Sequence, residues 1–291
     1  MFTVTILAAP KRADLTPRLV EDLRAQWNGG HVIWLNAGIA AEFPLEALPA
    51  DFWPIWEVLQ AQGFDLAIQP TRTRRKAILL ADMDSTMIEQ ECIDELADVA
   101  GVGERVAAIT ARAMNGELNF HEALIARVAL LSGLPESAIG EVLDSRITLA
   151  AGGRELVATM RAQGGYTALV SGGFTVFTEP VATALGFDEH RANTLLADND
   201  LLTGHVALPV LGREAKVEAL HEIAAARGFT PADVIAVGDG ANDLGMLQLA
   251  GTGVALHAKP SVAAQVDLRI NHGDLTALLY LQGYAAEEFA N

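Results

Sequence analysis

Four polar runs in this chain carry carboxylates, a hydroxyl, glycines and one amine at spacings that could do chemistry. Asp82-Met83-Asp84-Ser85-Thr86 sets two carboxylates two residues apart, directly after the apolar run Ala77–Ala81. If the first attacks, the second can sit beside the leaving oxygen. Acidic residues with a backbone carbonyl also form a hard oxygen site of the kind that holds Mg2+. Ser171-Gly172-Gly173 follows a second apolar run, Tyr166–Val170. A glycine there lets backbone approach a phosphate. Gly238-Asp239-Gly240-Ala241-Asn242-Asp243 follows a third run, Val234–Val237. Lys216 lies on a helical pattern that begins after Gly212. Each run alone has a plainer reading. Asp82 and Asp84 suit turn and cap chemistry, the glycines suit a turn, and most lysines are solvated. Their joint placement after buried runs outweighs those readings, because ligands of open α/β sheets sit outside the carboxyl ends of the strands.

The elements that must position these residues form three regions. In residues 1–70, strands are expected at 2–8, 31–36, 39–43 and 64–69. Helices are expected at 14–27, capped by Asp14, and at 52–62. The order βαββαβ suggests a small split-βαβ sandwich that binds a ligand or pairs into a homodimer. Residues 71–76, with Pro70 before them, are basic and read as a linker, either a solvated hinge or a help in drawing an anion inward. From Ala77 to residue 291 the pattern is α/β, a doubly wound, mostly parallel sheet with helices on both faces. Between about 89 and 149 no strand is expected. Amphipathic stretches at 93–100, 105–114, 120–131 and 136–147 predict a helical insert placed to act as a lid. Residues 191–209 read as a hairpin turning at Asp198-Asn199-Asp200.

Composition narrows the function classes. The chain has 291 residues, 51% hydrophobic, with a formal net charge of −17. That charge argues against nucleic acid or an anionic membrane surface as partner. It also means that any phosphate site must be made locally positive. One cysteine, Cys92, excludes an intrachain disulfide and fits a cytoplasmic setting. It reads as a small buried residue. The first ten residues lack a basic n-region, so no signal peptide is expected, and no apolar stretch is long enough for a membrane helix.

Taken in order, DMDST, SGG, the lone lysine and GDGAND resemble the haloacid dehalogenase superfamily of phosphatases, whose signature DxDxT is met at Asp82, Asp84 and Thr86. The chain is similar in particular to the phosphoserine phosphatase family. That family's DxDST(x)5E runs from Asp82 to Glu91, and its cap pattern is echoed at Met114–Phe120 and Arg127-Val128. VSGGF stands at Val170–Phe174 and VGDGAND at Val237–Asp243. The similarity spans about Ala77 to Leu279. Some members carry ACT-type amino-acid-binding domains in front, and the βαββαβ reading of residues 1–70 is compatible with one. The resemblance implies hydrolysis of O-phospho-L-serine to L-serine and phosphate, the last step of serine biosynthesis. Asp82 would be the nucleophile, forming an aspartyl-phosphate, and Asp84 the general acid and base. Mg2+ would be held by Asp82, the backbone carbonyl of Asp84 and Asp239. Lys216, Ser171 and the Gly172 N–H would hold phosphoryl oxygens, with Asn242 assisting. Asp243 would position Lys216 or metal-bound water. Glu91 would face the substrate ammonium, Arg127 its carboxylate, and Met114 and Phe120 would close an apolar wall.

Another small-metabolite phosphomonoesterase or phosphotransferase of the superfamily is the alternative. A binding protein that has lost catalysis is a second, disfavoured by the intact carboxylates. Since every candidate catalytic residue follows the linker, a chain starting near Arg74 is expected to fold and act.

Overall fold

The computed structural model describes residues 1–114 and 117–290. Strand β1 (Phe2–Ala8), helix α1 (Pro17–Gln26), strands β2 (Ile33–Asn36) and β3 (Ala40–Leu45), helix α2 (Phe52–Gln62) and strand β4 (Phe64–Pro70) come first. The strands form an antiparallel sheet ordered β2-β3-β1-β4. The start of α1 differs from expectation. Its N-cap is Thr16, whose hydroxyl accepts from Leu19 N–H at 3.3 Å. Pro17 then occupies the first helical position, where its missing N–H costs nothing. Asp14 instead pairs with Arg12 at 2.6 Å.

Alternation along β1 sends Val4 and Ile6 to one face, against Val20 and Leu23 of α1 and Leu59 of α2. Leu7 points the other way. With Leu35, Ala40 and Ala67 it joins the core that contains Leu278, Leu279 and Tyr280. Polar contacts reinforce this docking. Buried Asp65 accepts N–H bonds from Asn271, His272 and Gly273 at 2.8, 3.0 and 2.8 Å. Asn36 Nδ2 donates to Tyr280 Oη at 2.8 Å. The basic segment is solvated only in part, at Arg72, Thr73 and Arg75. Arg74 pairs with Glu42, Arg75 stacks on Tyr284 with Cζ 4.0 Å from the ring centroid, and Lys76 Nζ donates to Ala232 O at 2.7 Å. The segment leads into the next strand at its amino end, Ile78, opposite the end that carries Asp82 and Asp84. The expectation for a chain starting near Arg74 changes accordingly, because such a chain would expose the apolar surface around Leu278 to Tyr280.

The remainder comprises β5 (Ile78–Ala81), α3 (Cys92–Val99), α4 (Gly103–Met114), α5 (Phe120–Ala129), α6 (Ser137–Ser145), α7 (Gly153–Ala162), β6 (Tyr166–Phe174), α8 (Thr175–Leu185) and β7 (Glu189–Asn193). After these come β8 (Leu195–Asp198), β9 (Leu201–Val206), α9 (Arg213–Ala226), β10 (Val234–Gly238), α10 (Leu244–Leu249), β11 (Thr252–Leu256), α11 (Pro260–Ala263), β12 (Leu268–Ile270) and α12 (Ala277–Leu281). Six strands form a parallel sheet ordered β12-β11-β10-β5-β6-β7. Strand β5 is buried along its whole length, which is why it reads as an unbroken apolar run. The strands that precede the three loop motifs, β10, β5 and β6, are immediate neighbours, so their carboxyl ends lie side by side.

Helices α3 to α6 form the insert, and a bridge between Ile88 and Leu149 closes its neck. Asn119 and Glu122 make a reciprocal capping box that starts α5. The β8–β9 pair turns at Asn199 and Asp200, both at positive φ, a region these two residue types tolerate. The hairpin starts later than residue 191, because Glu189–Asn193 adds to the edge of the parallel sheet beside β6. It leans on the insert, since Gly133 N–H donates to Leu202 O at 2.8 Å and Glu136 N–H to Asp200 O at 2.9 Å. Among the described residues no helix is long and apolar enough to cross a membrane.

Candidate active site

A cleft of about 780 Å3 opens between the carboxyl ends of β5, β6 and β10 and the helical insert. Asp82, Asp84, Glu91, Arg127, Ser171, Gly172, Asp239, Asn242 and Phe120 all line it. Lys216 lies beneath, fully buried on α9, with Nζ 2.6 Å from Asp82 Oδ1 and 2.6 Å from Asp243 Oδ1. Burial alone would push its pKa down. The carboxylates of Asp243 and Asp82 outweigh that and hold it above the ordinary lysine value. Lys216 is therefore a fixed positive charge at the floor of the cleft.

The loop after β5 directs its two carboxylates differently. Asp82 Oδ1 accepts Met83 N–H at 2.8 Å as well as the Lys216 ammonium. Burial, followed by the charge of Asp243, raises the Asp82 pKa against the pull of Lys216. Asp84 turns toward β6 and α3. Its Oδ2 accepts the Ser171 hydroxyl at 3.1 Å and its Oδ1 accepts Cys92 N–H at 2.8 Å. Burial and then Glu91 raise its pKa, so the protonated form is favoured relative to a free aspartate. Directly after Asp84, Ser85 sits at φ 55°, a left-handed conformation that costs a serine free energy. This places its Oγ 3.0 Å from Glu91 Oε1, to which it donates. Thr86 is buried under the loop, and its Oγ1 has no hydrogen-bond partner among the described residues.

Carboxylate oxygens of Asp82, Asp239 and Asp243 come within 4.8 Å of one another. Both Asp243 oxygens are already engaged, one by Lys216 at 2.6 Å and the other by Gly240 N–H at 2.9 Å. Asp82 and Asp239 are thus the side chains best able to offer oxygen to a cation. Burial and then the charges of Asp243 and Glu91 push Asp239 up to about 7. A buried cluster of this charge and donor type fits a hard divalent cation. The Asp84 carboxylate lies outside the cluster and could contribute only through its backbone.

Two glycines bring the insert down onto the sheet. A Cβ on Gly172 would lie 3.0 Å from Phe120 Cζ, and one on Gly212 would lie 3.0 Å from Phe120 Cδ1. The Phe120 ring is therefore seated over both loops and forms part of the cleft roof. Asn242 Nδ2 would lie 3.9 Å from the same Cβ of Gly172, so its amide faces the phosphate-type loop. Half-buried Arg127 reaches in from α5. Its Nε donates to Ala123 O at 3.3 Å, and it makes no ion pair among the described residues. Burial lowers its pKa, while the nearby charges of Asp94, Glu91 and Asp84 work the other way. The side chain of Met114 lies outside the described residues. Cys92 is buried, and burial raises its thiol pKa. Arg213 and Lys259 also line the cleft and were missed in the sequence, where exposed cations on a helix and a loop carry no distinguishing pattern. Asn193, at the end of β7, was missed as well.

Residues 79–248 match the family model of haloacid dehalogenase-like hydrolases. The phosphoserine phosphatase of Archaeoglobus fulgidus is 42% identical over 227 residues, 77% of this chain and 66% of that protein. The chain thus spans just under two thirds of that relative's length. The phosphoserine phosphatase of Albidiferax ferrireducens is 43% identical over 225 residues, 76% of this chain and 94% of that protein. Among solved structures, a HAD family hydrolase from Salmonella enterica serovar Typhi superposes with a TM-score of 0.87 at 30% identity, covering 97% of this chain and 98% of its own. A phospho-aspartyl intermediate analogue of a phosphoserine phosphatase has a TM-score of 0.66 at 40% identity, covering 71% of this chain and 98% of its own.

Proposed function

The chain belongs to the haloacid dehalogenase-like hydrolase family, and from that premise we propose that it hydrolyses O-phospho-L-serine through an aspartyl-phosphate at Asp82. The observation that carries this reading is the pairing of two kinds of recognition in one cleft. Asp82, Ser171 and Gly172 with Lys216 beneath suit a phosphoryl group, while Glu91 and Arg127 offer opposite charges to a zwitterion. A sugar phosphate has no use for that second pair.

In the first step the Asp82 carboxylate attacks phosphorus and the P–O bond to serine breaks. Asp84 delivers a proton to the departing seryl oxygen, a task suited to a carboxyl whose pKa is raised by burial and by Glu91. In the second step the Asp84 carboxylate takes a proton from water as that water displaces phosphate from Asp82. Lys216, fixed by Asp243, balances charge at the nucleophile through both steps. The Gly172 N–H, and the Ser171 hydroxyl once it turns from Asp84, offer hydrogen bonds to the equatorial oxygens. Arg127 takes the substrate carboxylate and Glu91 the ammonium, with Phe120 excluding water above them. Mg2+, held by Asp82, Asp239 and the Asp84 carbonyl, would neutralise phosphoryl charge and keep Asp82 ionised.

The reading is tested by phosphate release from L-phosphoserine, phosphothreonine, glucose 6-phosphate and a nucleotide monophosphate, with Mg2+ and with EDTA. Preference for L-phosphoserine, abolished by EDTA, is the expected result. Preference for glucose 6-phosphate or the nucleotide would remove the substrate assignment.

A further inference from the structure

The pairing of β6 with β7 is interrupted at the phosphate-type loop. The register runs regularly through Val170–Arg191, then shifts and resumes only at Phe174–Asn193. Residues 171–173 are therefore released from the ladder, as a loop that must approach a ligand requires. Their backbone groups need other partners, since a buried carbonyl left unpaired is costly. The side chain of Asn193, 2% exposed, provides one. Its Nδ2 donates to Gly172 O at 2.8 Å and to Leu211 O at 3.2 Å, and its Oδ1 accepts Leu211 N–H at 2.7 Å. The N–H of Leu211 fixes which end of the amide is oxygen.

The chain of contacts continues into the catalytic groups. The peptide unit whose carbonyl Asn193 holds carries the Gly173 N–H at its other end, and that N–H donates to Ser171 Oγ at 2.8 Å. The Ser171 hydroxyl in turn donates to Asp84 Oδ2 at 3.1 Å. Because a peptide unit is planar, fixing its carbonyl also aims its N–H. The space is tight, since a Cβ on Gly173 would lie 2.6 Å from Asp84 Oδ2. On its other side Asn193 grips Leu211, which leads through Gly212 into α9. Gly212 O accepts Lys216 N–H at 3.3 Å there.

We propose that Asn193 is a positioning residue for phosphoryl transfer, fixing the Gly172–Gly173 peptide and the start of α9 so that Ser171 and Lys216 keep their places around Asp82 and Asp84. This assignment rests on the proposed function. It requires that Asn193 act on the chemical step, through Ser171, and not on recognition of the serine moiety by Glu91 and Arg127.

The test uses the full chain with Mg2+, on L-phosphoserine and on p-nitrophenyl phosphate. Asn193→Ala removes the clamp. Asn193→Asp keeps its size but turns two donated bonds into contacts between oxygens. Both variants are expected to lose about tenfold or more in kcat on both esters, with the KM for phosphoserine held within about threefold. In a Ser171→Ala background, Asn193→Ala is expected to cost less than about threefold more, the non-additivity of groups that act as a unit. A rise in KM with kcat retained, losses that multiply fully in the double variant, or failure of both single variants to fold would overturn the assignment. If the unaltered chain hydrolyses the aryl ester but not phosphoserine, the substrate reading fails, and the Asn193 comparison is still decided on the aryl ester. Turnover of neither ester would remove both.

Discussion

Replacing Arg127 with alanine separates substrate recognition from phosphoryl chemistry. Arg127 reaches the cleft from α5, whose neighbouring Leu124 and Val128 are buried and anchor the helix without it. Among the described residues its guanidinium makes one hydrogen bond, from Nε to Ala123 O, which leaves the ends of its planar fork to a ligand there. Losing one partner of a desolvated, hydrogen-bonded charge pair costs about 2–5 kcal/mol. At roughly 1.4 kcal/mol per decade, kcat/KM for L-phosphoserine should fall by about two to three decades. An aryl phosphate has no carboxylate, so its hydrolysis should stay nearly unchanged. Arg127→Lys should recover only part of the loss, because an ammonium lacks the bidentate fork. The assay is steady-state phosphate release on both substrates. Equal losses on the two would show that Arg127 supports the fold or contacts phosphate, and no loss on either would place carboxylate recognition elsewhere.

Other perturbations reach different parts of the account. Asp84→Asn should slow turnover by orders of magnitude yet still allow transfer from an ester with a good leaving group, seen as a burst of aryl alcohol. Asp239, pushed up to about 7 by burial and its acidic neighbours, must lose its proton to serve a cation. Mg2+ affinity should therefore strengthen as pH rises through 7, with proton release on binding below it; calorimetry in buffers of different ionisation enthalpy would show an affinity flat in pH if this is wrong. The linkage for the cation-free protein has the opposite sense. The folded state holds a proton there that the unfolded chain releases near the ordinary aspartate value, so stability should fall as pH rises through this window, read as a declining Tm. A chain starting near Arg74 should show a lower Tm and a tendency to aggregate, because Leu278, Leu279 and Tyr280 lose the cover of Leu7, Leu35 and Ala67; an unchanged Tm would mean that this docking contributes nothing.

Much of the site was legible because its strands are buried on both faces. Ile78–Ala81, Tyr166–Val170 and Val234–Val237 stand out as apolar runs, and the polar residue that ends each run marks the functional edge. Edge strands left weaker traces. Glu189–Asn193 is polar in sequence and half-buried over its first three residues, so no apolar run marks it and its last three residues read as the start of the hairpin that follows. Asp14 and Thr16 are both good cap residues, and only Pro17 at the first helical position decides between them. The basic run after Pro70 looks solvated because the groups that fix it, Glu42, Tyr284 and Glu288, are distant along the chain. Asn193 had no signal at all. Its importance comes from a register shift between two strands, which no spacing of residue types reveals.

The central claim is that phosphate passes through Asp82, and chemical trapping of the acylphosphate tests it most directly. Protein turning over L-phosphoserine would be quenched in acid, reduced with borohydride and digested for peptide mass spectrometry. An acylphosphate on an aspartate is reduced to homoserine, so the account predicts homoserine at position 82, dependent on substrate and absent from Asp82→Asn. Sustained turnover with no modification at 82, or with substrate-dependent modification at another residue, would contradict it.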